Sequence, residues 1–301
     1  MVFSSNVFLF LFLPVTLGLY YLVRKNRALS NAVLTVMSLV FYAWGEPGFV
    51  LIMLASIFLN WLIALGIGNH SGQPRRKKGL LILSLVLNVG LLGAFKYLSF
   101  LIRNLNLALS LSIPDPGLRL PIGISFFTFQ AISYVVDVYR GRGKPQKHFM
   151  GVCLYISFFP QLIAGPIVRY ETVADEIQNR RETVDDFASG ARRFLVGLSK
   201  KAILANGLAM LVDLAMDLNP GALSVALSWM TAVAYLMQVY YAFSGYSDMA
   251  IGLGRMFGFH FLENFDFPFL SSPSPSSGAG GIFRCLPGFA ITCSSRWAEA
   301  A

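Results

Sequence analysis

Negative charge is scarce in this chain. It holds 15 acidic residues in 301, and only Glu46 and Asp115 precede Asp137. Charged residues of both signs make up 13% of the total, about half the share that covers an average soluble domain, which excludes an ordinary water-soluble globule. Cysteine is scarce too: three residues without paired or metal-like spacing exclude a disulfide framework and a zinc site. No Gly-rich phosphate loop, Ser-His-Asp order or metal-ligand spacing occurs.

What is abundant is apolar. Hydrophobic residues reach 55% and aromatics 14%, mean hydropathy is +0.62, and the apolar residues fall in long blocks between short charged clusters. This is the pattern of an all-α, polytopic transmembrane helix bundle. The net charge of +9 does not point to nucleic acid, because the basic residues sit in compact groups between apolar blocks, where they anchor helix ends on the cytoplasmic side.

The block Val7 to Val23 lacks a preceding basic stretch and a small-residue cleavage site, so it reads as a retained first span. After Arg24, Lys25 and Arg27 come blocks at Asn31 to Trp44 and Phe49 to Ile67, then Arg75, Arg76, Lys77 and Lys78. Blocks at Gly79 to Ile102 and Pro121 to Tyr139 lead to Arg140, Arg142, Lys144 and Lys147. Each basic cluster is separated from the next by a there-and-back pair, which sets all three on the cytoplasmic side. The block Phe149 to Val168 contains Pro160, Gly165 and Pro166. It either crosses, leaving Arg169 to Arg193 outside, or dips in and returns as a broken hairpin, leaving that stretch beside the earlier clusters. The second alternative requires irregular backbone buried in protein or lining a cavity. Helix is expected from Ala191 to Asp217, with Lys200 and Lys201 near an interface, and a further span from Leu223 to Phe243.

Two acids stand in apolar surroundings. Asp137 lies within Ser125 to Tyr139; it faces a cavity or partner, or it lies at a helix end where Arg140 or Arg142 neutralises it. Asp248 lies in a run of aromatics, hydroxyls and glycines from Tyr240 to Gly254. Glycine permits both close backbone approach and helix unwinding, so the run suits either a polar pocket at a helix break or tight helix packing with Asp248 bonded internally. His70 and His148 fall in basic loops, and His260 is flanked by Phe259 and Phe261; none stands out as a general base.

At these residues the chain resembles the membrane-bound O-acyltransferase family, and within it the bacterial alginate O-acetyltransferase branch. The matching segments are MVFSSNVFLFLFLP at Met1 to Pro14, FYAWGEP at Phe41 to Pro47, PIGISFFTFQAISYVVDVYRG at Pro121 to Gly141, FFPQLIAGPIVRY at Phe158 to Tyr170 and FSGYSDMAIGLGRMFGFHFLENFDFP at Phe243 to Pro268. The resemblance implies an inner-membrane, multi-pass enzyme with re-entrant or broken helices around a funnel. It implies acetyl transfer from a cytoplasmic thioester donor, acetyl-CoA or an acyl carrier, to a polysaccharide outside, with periplasmic acetyltransferase and export proteins as partners. Asp137, Tyr139, Pro160, Gly165, Pro166, Tyr246, Ser247 and Asp248 are the candidates for the funnel wall, from these motifs and from their polarity or helix-breaking character within apolar blocks.

The family's catalytic histidine and a second histidine in a WRRWHISLS-like segment lie downstream of the FSGYSDMAIGLG motif, and neither segment is present here. No catalytic residue is therefore assigned. Residues 271 to 301 instead hold seven Ser, three Pro, four Gly and two of the three Cys. Shifting the reading frame of a typical SITEFWRRWHISLS coding stretch by one base yields Ser-Pro-Ser-Ser-Gly-Ala-Gly-Gly-Ile-Phe-Arg-Cys, identical to Ser274 through Cys285. In that reading Gly281 and Ile282 share the bases of the first missing histidine. The tail is expected to be frameshift-derived and disordered, and the chain to be inactive as it stands. Two rivals share the same spans: a saccharide transporter or flippase, against which the lack of an internal repeat weighs, and a noncatalytic scaffold for periplasmic acetylation partners.

Overall fold

The structure, a computed structural model, describes residues 2–70, 72–162, 165–166, 168–218 and 224–265. The tail 271–301, expected to be frameshift-derived and disordered, lies outside the described residues. These fall into two compact units: Val15–Ile163 with Ile167–Asn179, and Val2–Pro14 with Ala164–Pro166 and Arg180 onward. Among the described residues all regular structure is helical, as an apolar chain with every backbone group satisfied inside its own segment demands.

The first unit contains α1 (Leu13–Val23, its first two residues belonging to the second unit), α2 (Arg27–Gly45), α3 (Phe49–Asn69), α4 (Pro74–Leu109), α5 (Ile124–Tyr139), α6 (Phe149–Ser157), α7 (Phe159–Leu162), α8 (Tyr170–Val173) and α9 (Glu176–Asn179). Helix α2 starts where Asn26 Oδ1 accepts from the Ala28 and Leu29 amides at 3.1 and 3.3 Å, satisfying two of the orphan donors of the first turn. Helix α4 starts on Pro74, whose fixed φ and missing N–H suit that position. At 36 residues α4 is about 54 Å long, well beyond a hydrocarbon core of about 30 Å. After it, the non-helical stretch 110–123 is tied down at three places. Asn106 Nδ2 donates to the Ile113 carbonyl at 2.8 Å, Ser99 Oγ to Asp115 at 2.8 Å, and Arg119 to the buried carboxylate of Glu46 at 3.3 Å. The Gly117 amide and Ser99 hydroxyl hold the Asp115 carboxyl below its ordinary range.

Helices α3 and α4 are joined through neutral polar groups. Ser84 Oγ and Asn88 Nδ2 both donate to Asn60 Oδ1 at 2.8 Å, and Asn60 Nδ2 donates to Asn88 Oδ1 at 3.2 Å. All three side chains are buried.

The block Phe149 to Val168 does not form a single crossing helix. Helix α6 ends at Ser157, Phe158 adopts ψ 114°, and one helical turn follows. Gly151 through Leu162 are all buried. Side chains take up the interrupted backbone: Ser38 Oγ accepts from the Phe159 amide at 3.2 Å and Gln161 Nε2 donates to the Tyr155 carbonyl at 2.5 Å. Tyr155 Oη donates to the Val168 carbonyl at 2.8 Å, whereas thirteen further helical residues would carry the chain about 20 Å away. The broken-hairpin alternative describes this segment, with the described part of its irregular backbone buried.

The second unit contains the π-helical stretch Phe8–Phe12, α10 (Val184–Ser199), a π-helical turn Lys200–Ala205, α11 (Asn206–Met216) and α12 (Val225–Met256). Helix α10, the π turn and α11 form one rod of 33 residues. Thr183 caps its start by accepting from the Asp186 amide at 3.0 Å, and Ser224 caps α12 by accepting from the Leu227 amide at 3.2 Å. Among the described residues four helices are long and apolar enough to cross a membrane: Arg27–Gly45, Phe49–Asn69, Pro74–Leu109 and Val184–Met216. The expected spans at Val7 to Val23 and Pro121 to Tyr139 form shorter apolar helices, Phe8–Val23 and Ile124–Tyr139.

Candidate functional site

The funnel candidates divide between the units. In the first, Asp137 occupies the last turn of α5 and is buried. Its Oδ2 accepts from the Glu171 amide at 3.3 Å and from Ser133 Oγ at 3.5 Å. Of the two arginines expected to neutralise it, Arg142 reaches Glu171 at 3.9 Å, and its backbone amide caps the Asp137 carbonyl at 3.0 Å. Arg169 also meets Glu171, at 3.1 Å. Asp137 thus pins the returning limb of the broken hairpin to α5.

Three tyrosines close the same corner. The ring of Tyr170 meets Tyr134 and Tyr155 edge-on at 4.7 and 5.4 Å between centroids. Tyr170 Oη donates to the Lys144 carbonyl at 2.8 Å, and Tyr134 Oη accepts from the Gln146 amide at 3.2 Å. Burial pushes the Tyr170 phenol above its ordinary range. Gly143 lies so close that a β-carbon there would come within 2.7 Å of the Tyr170 ring. Tyr139 lies apart, with Lys77 Nζ 5.4 Å from its ring centroid and 3.4 Å from its carbonyl oxygen. Pro160 is buried in α7.

In the second unit, Gly165 and Pro166 are buried, and Tyr246, Ser247 and Asp248 follow one another on α12. That helix runs unbroken through the glycine-punctuated motif, so the pocket at a helix break gives way to tight packing. The reason lies on α10. A β-carbon on Gly197 would sit 2.5 Å from the Gly245 carbonyl oxygen, and one on Gly190 2.6 Å from that of Gly252; the reciprocal distances are 2.7 and 2.6 Å. Two glycine pairs, seven residues apart on each antiparallel helix, bring the backbones into contact.

Between those contacts lie the charges. Asp248 Oδ1 accepts from Arg193 Nε and Nη2 at 3.1 and 3.0 Å, and Oδ2 accepts from Lys200 Nζ at 2.6 Å. The Asp248 side chain is only 14% exposed, and two cations meet the need of an acid among apolar helices for a partner. Arg193 also holds both carboxylate oxygens of Glu263, beyond the end of α12, and keeps that carboxyl below its ordinary range. Ser247 Oγ accepts from Asn264 Nδ2 at 3.0 Å. Tyr246 stacks on Phe3 at 4.7 Å between centroids. His260 lies against Asp186 at 3.5 Å.

The sequence reading singled out Asp248 but missed Arg193 and Glu263, and it placed Lys200 only as an interface residue. A signal was available: glycines recur with a seven-residue spacing at 190 and 197 and again at 245 and 252, and Arg193 and Asp248 stand at matching places between them. The charges also select the register. A one-heptad slip would keep one glycine pair but set Arg193 against Arg255 in one direction, or Asp186 against Asp248 in the other, and like charges brought together are disfavoured.

The comparisons agree with this architecture. The sequence profile of MBOAT, the membrane-bound O-acyltransferase family, matches residues 146–293. The "Probable alginate O-acetylase AlgI" of Pseudomonas aeruginosa is 45% identical over 276 residues, covering 90% of this chain and 52% of that protein. Its namesake from Azotobacter vinelandii is 42% identical over 275 residues, with 90% and 54% covered. The "Peptidoglycan O-acetyltransferase" of Helicobacter pylori is 35% identical over 300 residues, with 89% and 56% covered. The chain spans about half the length of these relatives. With its apolar spanning helices, its broken hairpin and this likeness over nine-tenths of its length, the chain is a membrane protein that belongs to the membrane-bound O-acyltransferase family.

Proposed function

We propose that the intact protein acetylates an exported polysaccharide, of alginate type, from the bacterial inner membrane. The observation that carries this reading is the 45% identity over 90% of the chain to the Pseudomonas alginate O-acetylase. The acetyl donor is a cytoplasmic thioester, acetyl-CoA or an acyl carrier, and periplasmic acetyltransferase and export proteins complete the transfer. In such a transfer a hydroxyl or relay nucleophile attacks the thioester carbonyl, the carbon–sulfur bond breaks, and the thiol leaves. A neighbouring imidazole takes the proton of the attacking group near neutral pH. Enclosure within the membrane keeps water from hydrolysing the thioester.

The family's histidines are missing from the 301 residues, so the chain as it stands is inactive and its tail after Pro268 is a shifted reading frame. Asp137, Tyr139, Pro160, Gly165, Pro166, Tyr246, Ser247 and Asp248 shape the funnel by holding helices and returning limbs in place. The test is acetyl analysis of exported polymer in a strain lacking its own enzyme. The 301-residue chain is expected to give no acetylation, and a gene with the frame restored after Pro268 is expected to give it. Acetylation by the 301-residue chain, or a restored gene that leaves the polymer unmodified, overturns the corresponding part of the reading.

A further inference from the structure

After α12 the chain reverses at Phe257 and Gly258, where Gly258 takes φ +79°, and runs back along the α10–α12 pair. Arg193 is bonded through Nε and Nη2 to Asp248 on α12 and through Nη1 and Nη2 to both oxygens of Glu263 on the returning segment. Next to it, Asn264 on the same segment bonds to Ser247, the neighbour of Asp248. One planar guanidinium thus serves two carboxylates from two parts of the chain. A lysine, with a single compact charge, cannot reproduce that geometry. Lys200, first residue of the π-helical turn that continues α10, independently holds the other oxygen of Asp248, so the rod has a tie to α12 that does not pass through Arg193, whereas the bond from α10 to Glu263 does.

We propose that Arg193 is a positioning residue: through Glu263 it ties the segment leaving α12 to the glycine-packed pair and so sets where the following polypeptide enters the site. This rests on the acyltransferase reading, in which the histidine segment follows that point in the intact protein. Arg193 touches no reacting atom and acts through the segment it holds.

The test uses the full chain in lipid nanodiscs, with Cys153, Cys285 and Cys293 replaced by alanine and spin labels on Leu195→Cys and Leu262→Cys, both exposed positions. Electron–electron resonance is expected to show one narrow distance. Arg193→Lys and Glu263→Gln are each expected to lose it, while labels on Leu195→Cys and Val239→Cys, reporting α10 against α12, keep theirs. A narrow 195–262 distance that survives both substitutions overturns the proposal, as does equal broadening of the 195–239 distance, which would make Arg193 a general packing residue. In the frame-restored enzyme, Glu263→Gln is expected to lower kcat about tenfold or more with KM for acetyl-CoA unchanged, and a rise in KM alone counts against positioning. A frame-restored parent without acetyl transfer defeats the functional reading but leaves the distance result standing.

Discussion

Two helix pairs in this protein solve the same problem by opposite chemistry. Helices α3 and α4 are joined by Asn60, Ser84 and Asn88, neutral groups that satisfy one another. Helices α10 and α12 are joined by bare backbone contact at four glycines, with full charges from Arg193, Lys200 and Asp248 between them. Hydrophobic burial does not drive helix association in lipid, so packing and polar bonds must do it. A neutral network is undemanding and tolerates wholesale replacement by apolar groups. A charged one is far less tolerant of losing a single member, because an ion left alone in apolar surroundings is costly. What the charged pair gains is direction and register, and it is the pair to which the segment after α12 is tied.

The comparison breaks most visibly at the glycines. Gly197→Leu places a side chain against the Gly245 carbonyl and the Met249 amide, and it is expected to destabilise the α10–α12 pair by at least about 3 kcal/mol, read by thermal or denaturant unfolding in detergent. Gly93, with open space around its β-position, is the control and accepts leucine without comparable loss. Next in size is Asp248→Ala, which takes a shared acceptor from Arg193 and Lys200; a loss of about 2–3 kcal/mol is expected. Asp248→Asn should recover only part of it, since a neutral amide cannot balance two cations.

Smaller effects are expected at the neutral pair. Asn60→Leu takes the donor from Asn88 Oδ1 and the acceptor from Ser84 Oγ and should cost about 1–2 kcal/mol, while Asn60→Leu with Asn88→Leu should recover part of that, because only the Ser84 hydroxyl then lacks its former partner. A double-mutant cycle measures the difference, and additive losses would show that the two asparagines do not act together. The smallest effect is a pH dependence at Glu263. Its carboxyl titrates below the usual value of about 4.3 because Arg193 donates to it, so the tether persists as pH falls through that value and is lost only below it. Labels at 195 and 262 should keep their distance at pH 5 and lose it only on further acidification; a loss already at pH 5 would contradict the pairing.

The treatment of the two acids shows how much could be read in advance. Asp137 was legible as a polar residue near the end of an apolar helix, and it is one; its partners, the Glu171 amide and Ser133, lie partly on a limb that returns only because the helix breaks after Ser157. Asp248 was legible as an acid within a glycine-rich motif, but local composition could not choose between an opened helix and a packed one. The choice depends on whether a second helix offers glycines and cations in the same register, and that helix lies some fifty residues away in the chain. The helix positions followed more directly, with differences at their ends, such as α4 running seven residues past Ile102.

By itself the sequence determined the membrane as solvent, helix as the regular structure of the described residues, and the likeness to the acyltransferase family. Those follow from composition, from the length of apolar runs and from motifs contiguous in the chain, since a backbone in lipid must bond within its own segment. Only the tertiary structure decided that the block after Phe149 folds back rather than crosses, that α12 stays whole, and that Arg193 joins Asp248 to Glu263. Those outcomes depend on which distant groups meet an otherwise unsatisfied polar atom, and a linear pattern does not carry that pairing.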